Sequence, residues 1–137
     1  MTEETIFSKI IAGSIPCTKV YEDEVVLAFL DISPNNLGHT LVIPKVFSTD
    51  ATDTDPVTMS HIMTVGQRIA RAQRKCLNAT GNNLIFICGK DGGQEVFHTH
   101  LHVIPRFADD GVFEPANHTK YAEGEDVTIA EKLAAAI

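Results

Sequence analysis

The chain has 137 residues, 44% of them hydrophobic, and a formal net charge of −7. This length fits one domain over 1–137, with a core at about 5–107 and a tail at 108–137. The sequence contains no run of 18 apolar residues, so we expect no membrane-spanning helix. It also lacks a basic stripe, which argues against a nucleic-acid groove.

The number of cysteines and the first residues of the chain indicate in which cellular compartment the protein is expected. The three cysteines, Cys17, Cys76 and Cys88, are odd in number and widely spaced, so we expect no disulfide framework. The acidic start lacks a basic segment followed by an apolar stretch, so we expect no secretory signal. Both features predict a cytoplasmic protein. An acidic chain can still bind a small phosphorylated ligand, because a local site overrides the global field.

The first part of the chain predicts one helix and three strands. Gly13 can stop the helix and Pro16 forbids its continuation. Further along, the turn residues of 33–36 separate the second strand from the third. The predicted helix covers 6–12, and the predicted strands cover 19–21, 25–32 and 39–44.

A long amphipathic helix follows a polar loop at 45–55. Pro56 suits its first turn, and apolar residues recur at helical spacing until an end near Thr80-Gly81. Strands in meander order with two main helices predict an α+β fold with an antiparallel sheet. The remaining predicted elements are a strand at 84–88, a glycine-rich loop at 89–94, a strand at 96–104 and a short helix near 129–136.

Three alternating histidines, in His98-Thr99-His100-Leu101-His102, are the sharpest feature of the sequence. Side chains on a strand alternate between faces, so the histidines would share one face, with neighbouring rings about 7 Å apart. If Nδ1–H donates to a carbonyl, Nε2 keeps a lone pair that can attack phosphorus, bind a metal or move a proton. The preceding Gly92-Gly93 would let backbone amides approach a phosphate closely.

This pattern resembles the histidine-triad (HIT) family, whose signature alternates three histidines with hydrophobic residues. GGQEVFHTHLHVIPR at 92–106 is similar to that signature, with Thr99 as a departure at a hydrophobic position. TIFSKIIAGSIP at 5–16 resembles the family's opening helix, and AFLDISPNNLGHTLVIPK at 28–45 resembles its central strand pair. The resemblance implies a HIT-like fold with a mostly antiparallel five-stranded sheet, continued across a homodimer.

The resemblance also implies an enzyme, a hydrolase or transferase that acts on the α-phosphorus of purine nucleotide conjugates such as those of AMP. His100, the middle histidine, would be the nucleophile and would form a nucleotidyl-histidine intermediate that water resolves. His98 and His102 would orient it and support phosphate. His39 would complete the histidine cluster, and Gln94 would reach the α-phosphate or the bridging atom. The scheme needs no metal and no other cofactor.

Nucleotide-binding residues carry over by position as well. Asp31 would bind the ribose hydroxyls, since a carboxylate accepts their hydrogen bonds, although it is also a plausible turn residue. Composition alone predicts the apolar members of the set equally well as core residues. The residues expected around the nucleotide are Asp31, Ile6, Phe7, Ile10, Phe29, Ile32, Leu41, Gly93, Gln94, Glu95 and Val96.

The sequence departs from zinc-bearing relatives, which hold a structural zinc with two early cysteines and two histidines. The corresponding positions here are Thr5, Ser8, Phe47 and His98. One remaining ligand cannot hold a structural zinc, so we expect no metal.

Two departures concern the nucleotide itself. Ile87-Cys88 stands where relatives often carry asparagine, which predicts altered nucleotide affinity or preference. Glu95 would repel a phosphate unless its carboxylate turns away.

Several functions remain open on the sequence. Within the enzyme class, the substrates are nucleoside phosphoramidates or dinucleoside polyphosphates. A nucleotide-binding interaction module with little catalysis is an alternative that Ile87 supports. A metal hydrolase is a third, since strand histidines two residues apart are a known zinc-ligand geometry.

Overall fold

The computed structural model describes residues 4–113 and 118–137, and these ranges contain five strands and three α-helices. A short 3₁₀ turn at Lys90–Gly92 precedes the last strand. The elements in chain order are α1 (Ile6–Ile11), β1 (Lys19–Glu22), β2 (Val26–Leu30), β3 (Thr40–Pro44), α2 (Pro56–Cys76), β4 (Gly81–Phe86), β5 (Leu101–Arg106) and α3 (Glu125–Ala136).

The strands form one sheet in the order β1-β2-β3-β5-β4, and every neighbouring pair is antiparallel. The predicted α+β class with an antiparallel five-stranded sheet is therefore confirmed. β3 and β5 pair in the interior of the sheet, where Leu41 lies opposite His102. This pairing joins the region around His39 to the histidine segment, although about sixty residues separate them in the chain.

Both faces of the sheet are buried, which explains why the central strands are apolar at nearly every position. On β2, Val26 and Ala28 belong to the core beneath α2, whereas Leu27 and Phe29 belong to the core on the opposite face. Phe7 of α1 packs into that second core. The second face therefore carries α1, and it is the face on which His102 lies, since Leu101 and Val103 belong to the core beneath α2.

The long helix α2 buries one stripe and ends earlier than the sequence predicts. Pro56 occupies its first turn, and the stripe includes Ile62, Val65 and Ile69. The helix stops at Cys76 rather than near Thr80-Gly81, because Asn78 adopts a left-handed φ of 59°.

The strand around the histidines also differs from the prediction. It begins at Leu101, five residues later than expected, and the segment from Val96 to His100 is irregular. At the C-terminal end, α3 has 12 residues, twice the length of α1, and its side chains are exposed. None of the helices in 4–113 and 118–137 has the length and apolar character needed to cross a bilayer.

Gly66 allows α2 to lie directly against β5. A Cβ at this position would meet Leu101 Cδ2 at 2.4 Å, with Leu84 and Val103 side chains at 3.6 Å. Leu101 is fully buried, so it has little room to move away.

We expect Gly66→Ala to destabilise the protein by about 1–3 kcal/mol through overpacking, despite the better helix propensity of alanine. Chemical denaturation measures the free energy of unfolding. The matched control is Gln67→Ala at the exposed neighbouring position, which should stay within about 0.5 kcal/mol of wild type. A Gly66→Ala protein as stable as this control would contradict the close contact.

Candidate active site

A cavity of about 410 Å³ opens on the α1 face of the sheet. Its walls come from α1, the loop after β2, and the loop that precedes β5. The eleven residues that the sequence analysis expects around the nucleotide all line this cavity, from the apolar side chains of α1 to the loop residues Gly93 to Val96. Ile32 stands at the mouth, since it is 95% exposed.

His100 lies on the cavity wall directly before β5 and is 8% exposed. Its Nδ1 lies 2.7 Å from the backbone oxygen of His98. Because a carbonyl oxygen can only accept, Nδ1 carries the proton and Nε2 keeps a lone pair. The ring packs edge-on against Phe7 at 5.0 Å between centroids, which holds it against the cavity wall.

His98 is fully buried beneath Phe7 and Phe47 and lies outside the cavity. Its Nε2–H donates to the backbone oxygen of Pro44 at 3.0 Å, so Nδ1 accepts from the Thr5 hydroxyl, also at 3.0 Å. Phe7 of the α1 face packs against both His98 and His100, but the His98 ring lies behind the cavity wall and cannot contact a phosphate there as the sequence predicts. Its backbone oxygen, rather than its ring, reaches the site.

His39 and His102 form a hydrogen-bonded pair at the floor of the cavity. The Asn35 N–H donates to His39 Nδ1 at 3.1 Å, so the proton of His39 is on Nε2. That Nε2–H donates to His102 Nδ1 at 2.9 Å. The proton of His102 is consequently on Nε2, and its ring centroid lies 4.8 Å from that of His100. His39 and His102 thus join His100 at the cavity, as the sequence predicts.

Burial keeps the cluster uncharged at neutral pH. It lowers the pKa of His102, with contributions from His100 and His39, to about 4. Burial likewise lowers the pKa of His100, although the bond to the His98 carbonyl acts in the opposite direction. It lowers the pKa of His39 too, opposed by the nearby Asp31 carboxylate. The site therefore presents a lone pair on one ring beside an N–H on another.

Asp31 is a turn residue, one of the two interpretations that the sequence leaves open, and it also lines the cavity, where the other interpretation, ribose binding, would require it. One carboxylate oxygen, Oδ1, accepts from the Ser33 N–H at 2.8 Å. The other, Oδ2, lies 3.6 Å from His39 Nε2 at the cavity wall. This second oxygen has capacity for further hydrogen bonds from a ligand.

The phosphate contacts predicted for Gln94 and Gly93 are not available in this structure. Both N–H groups of the Gln94 amide are donated, to the backbone oxygens of Thr49 and Val96 at 2.8 and 2.9 Å. The backbone amides of Gly93 and Gln94 donate within the 3₁₀ turn, to Lys90 and Gly89. Gln94 therefore stabilises the loop, because its amide links three separate backbone positions.

Hydrogen bonds made by Thr99 explain why a polar residue stands at this hydrophobic position of the pattern. Its hydroxyl lies 2.7 Å from that of Ser48 and 2.9 Å from that of Thr54, and all three side chains are buried. The Thr99 N–H also donates to the Ser48 backbone oxygen at 2.9 Å. These bonds attach the loop before α2 to the histidine segment, so an apolar residue at 99 would leave two buried hydroxyls short of a partner.

A metal fits the cluster poorly. Ligand atoms of Asp31, His39 and His102 lie within 4.8 Å of one another. A metal needs a lone pair on each nitrogen, but His39 has its proton on the Nε2 that faces the other two groups. Moving that proton to Nδ1 would point it at the Asn35 N–H. The hydrogen bonds therefore favour a metal-free cluster.

Sequence reasoning missed several residues of the cavity wall. Asn35 has a clear role, since its N–H sets the protonated nitrogen of His39. The sequence signal for this role is that Asn35 lies in a predicted turn, four residues before His39. The cavity residues not predicted from sequence are Pro16, Cys17, Leu30, Ser33 and Asn35.

Comparison with known proteins finds relatives in both sequence and fold. The sequence profile of the HIT domain matches residues 12–109. An uncharacterized HIT-like protein of Borreliella burgdorferi is 46% identical over 110 residues, which cover 79% of each chain. An adenylylsulfatase of Arabidopsis thaliana is 37% identical over 106 residues, covering 77% of this chain and 54% of that protein. The crystal structure of a HIT family protein from Bacillus anthracis superimposes with a TM-score of 0.90 at 44% identity, covering 100% and 99% of the two chains.

The lowered histidine pKa values predict loss of stability in mild acid. Well above pH 6.5, the ordinary pKa of histidine, the buried histidines are neutral in both the folded and the unfolded state, so their protonation does not change the free energy of unfolding. As pH falls below 6.5 the unfolded chain takes up protons first, so the free energy of unfolding decreases.

Urea denaturation at about pH 7.5 and about pH 5.5 measures this loss. His118→Asn is the control, because His118 is exposed and its removal should leave the pH dependence unchanged. A free energy of unfolding that is equal at the two pH values would contradict neutral burial of the cluster.

Proposed function

Since this chain belongs to the HIT family, we propose that it is a nucleotide-binding hydrolase or transferase acting on the α-phosphorus of purine nucleotide conjugates. The observation that carries the proposal is the hydrogen bond from His100 Nδ1 to the His98 backbone oxygen. This bond leaves Nε2 unprotonated on a ring that lines the cavity. Because burial lowers the pKa of His100, the ring stays neutral near pH 7, where free histidine is partly protonated.

The reaction proceeds in two steps. His100 Nε2 attacks the α-phosphorus, the bond from phosphorus to the leaving group breaks, and a nucleotidyl-histidine forms. The leaving atom takes the electron pair of the broken bond and can accept a hydrogen bond from His102 Nε2–H, on the ring beside His100. Water then attacks phosphorus and releases one proton to solvent, the N–P bond breaks, and His100 recovers its lone pair as the nucleoside monophosphate leaves.

Neutral donors would bind the phosphate in this pocket. The described residues that line it include neither lysine nor arginine. The backbone N–H groups of Glu95 and Val96 have no partner among residues 4–113 and 118–137, and both residues line the cavity. These amides replace those of Gly93 and Gln94 as candidate phosphate donors. The Glu95 side chain is exposed, so its carboxylate can turn away from the phosphate.

The remaining walls suit a nucleoside. Phe7 and Phe29 are buried and line the cavity together with Ile6 and Ile10, and these side chains would contact the purine base. The free Oδ2 of Asp31 would accept from the ribose hydroxyls. The base and ribose would thus hold the α-phosphorus beside His100.

Three leaving groups are compatible with this scheme. Nucleoside phosphoramidates and dinucleoside polyphosphates were the two substrate classes expected from sequence. The relatedness to an adenylylsulfatase adds an adenylyl conjugate with sulfate. A side-by-side assay of kcat/KM for the three conjugates of AMP would separate them, because they share the nucleotide and differ only in the leaving group.

A nucleotide-binding interaction module is the second candidate, and Ile87 is the observation that favours it. Its side chain lines the cavity near Gly93, where it offers no hydrogen bond to a phosphate. Binding of AMP without turnover of any of the three conjugates would favour this candidate. Loss of activity with a chelator, restored by added zinc, would instead favour a metal hydrolase.

We also propose that the protein is a cytoplasmic homodimer. β4 is an edge strand of the sheet, with Leu84 on it 36% exposed, and such an edge can pair with a second copy. Light scattering of the purified protein tests this, and a monomer mass across the micromolar range would exclude it.

We expect His100→Asn to bind AMP with nearly unchanged affinity while kcat falls at least about a thousandfold, because the variant lacks the attacking nitrogen. Calorimetry measures binding and steady-state assays measure turnover. His118→Asn, at an exposed position, is the control and should retain wild-type activity. Mass spectrometry after an alkaline quench should detect a nucleotidyl adduct on wild type alone. Equal turnover by His100→Asn would exclude the mechanism.

We expect Asp31→Asn to raise KM for the ribonucleotide substrate about tenfold, since hydrogen bonds to a charged acceptor are the stronger ones. Asparagine retains the turn bond that Oδ1 accepts from Ser33. The 2′,3′-dideoxy substrate is the matched control and should show the same KM with both proteins. An equal rise for the two substrates would remove Asp31 from ribose recognition.

A further inference from the structure

A hydrogen bond joins the start of α1 to the histidine segment, 93 residues later in the chain. Thr5 Oγ1 lies 3.0 Å from His98 Nδ1. Thr5 is also the N-cap of α1, and its hydroxyl accepts from the Ser8 N–H at 3.1 Å. One hydroxyl therefore serves both the helix and the buried imidazole.

The direction of this bond follows from its neighbours. His98 Nε2 faces the backbone oxygen of Pro44 at 3.0 Å, and an oxygen of this kind only accepts. The proton of neutral His98 is thus on Nε2, and Nδ1 must accept. The Thr5 hydroxyl, which accepts from Ser8, is free to donate its hydrogen to that Nδ1.

His98 connects Thr5 to the nucleophile. The His98 ring is held on both nitrogens, and the backbone oxygen of the same residue accepts from His100 Nδ1 at 2.7 Å. Phe7, two residues after Thr5, contacts both rings, at 5.8 Å from His98 and 5.0 Å from His100 between centroids. A shift of the His98 ring would therefore move the groups that orient His100.

We propose that Thr5 is a positioning residue for the reaction: its hydroxyl holds His98 in one tautomer and place, and the His98 backbone oxygen then orients His100 Nε2 toward the phosphorus. The inference rests on the proposed function for its catalytic part. His98 is fully buried, so without the hydroxyl its Nδ1 becomes an acceptor with no partner. To avoid a buried acceptor without a partner, the His98 ring would have to rotate, move or change tautomer.

The experiment compares three variants of the full chain. Thr5→Val removes the hydroxyl at nearly constant volume, and Thr5→Ser restores it. Ser8→Ala is the matched control, since it removes the hydroxyl that bonds the Thr5 N–H and backbone oxygen but leaves the Thr5–His98 bond in place. Thermal unfolding of all three measures the general weakening of the α1 cap.

Two readouts separate positioning from a structural effect. Imidazole ¹⁵N spectra report which nitrogen carries the proton, with Nε2–H on His98 and Nδ1–H on His100 expected in wild type. In Thr5→Val we expect a mixture of His98 tautomers and altered His100 signals. We also expect kcat to fall about tenfold with KM within about twofold, the scale of one hydrogen bond lost after binding.

Wild-type spectra and turnover in Thr5→Ser and Ser8→Ala would support the proposal. Thr5→Val spectra identical to wild type, or a Ser8→Ala protein with the same loss of kcat, would overturn it. The spectra need no substrate, so they test whether Thr5 fixes the tautomers of His98 and His100 even if wild type turns over none of the conjugates. Absence of turnover in wild type would overturn the proposed function, and the spectra alone would then decide whether Thr5 positions the two rings.

Discussion

The site depends on a single hydrogen bond, from His100 Nδ1–H to the backbone oxygen of His98. A neutral imidazole has one proton, and this bond places it on the buried side of the ring. The opposite nitrogen is then a lone pair beside the cavity. Because the acceptor belongs to the backbone, its position follows the path of the chain between the loop and β5, which the His98 ring attaches to Pro44 and Thr5.

Burial and hydrogen bonding act together on the other imidazoles. Burial lowers the pKa of His102 to about 4, so at neutral pH its proton count is constant. The Asn35 N–H then sets the proton of His39, and His39 sets that of His102. A cluster of neutral rings can therefore have a defined order of donors and acceptors. This order suits a phosphate better than a metal, since the inward-facing nitrogen of His39 is protonated.

Much of the fold follows from local signals. The antiparallel sheet of this α+β fold was predictable because turn residues and apolar runs mark its strands. The helix Pro56–Cys76 was predictable from its apolar stripe. The start of β5 was not predictable. Val96 to His100 alternate as a strand would, but the Thr99 N–H bonds Ser48 instead of a neighbouring strand. Only the folded chain brings residue 48 there.

The sequence alone determined most of the residues that line the cavity, because its segments 5–16, 28–45 and 92–106 retain the pattern of a family with a common fold. The tertiary structure decided what each polar group does. Gln94 donates to Thr49 and Val96, and His98 turns to Pro44 and Thr5. Most of these partners lie about forty to ninety residues away, and a donor's partner cannot be read from residue type. Proton positions and ring directions are therefore properties of the folded contacts.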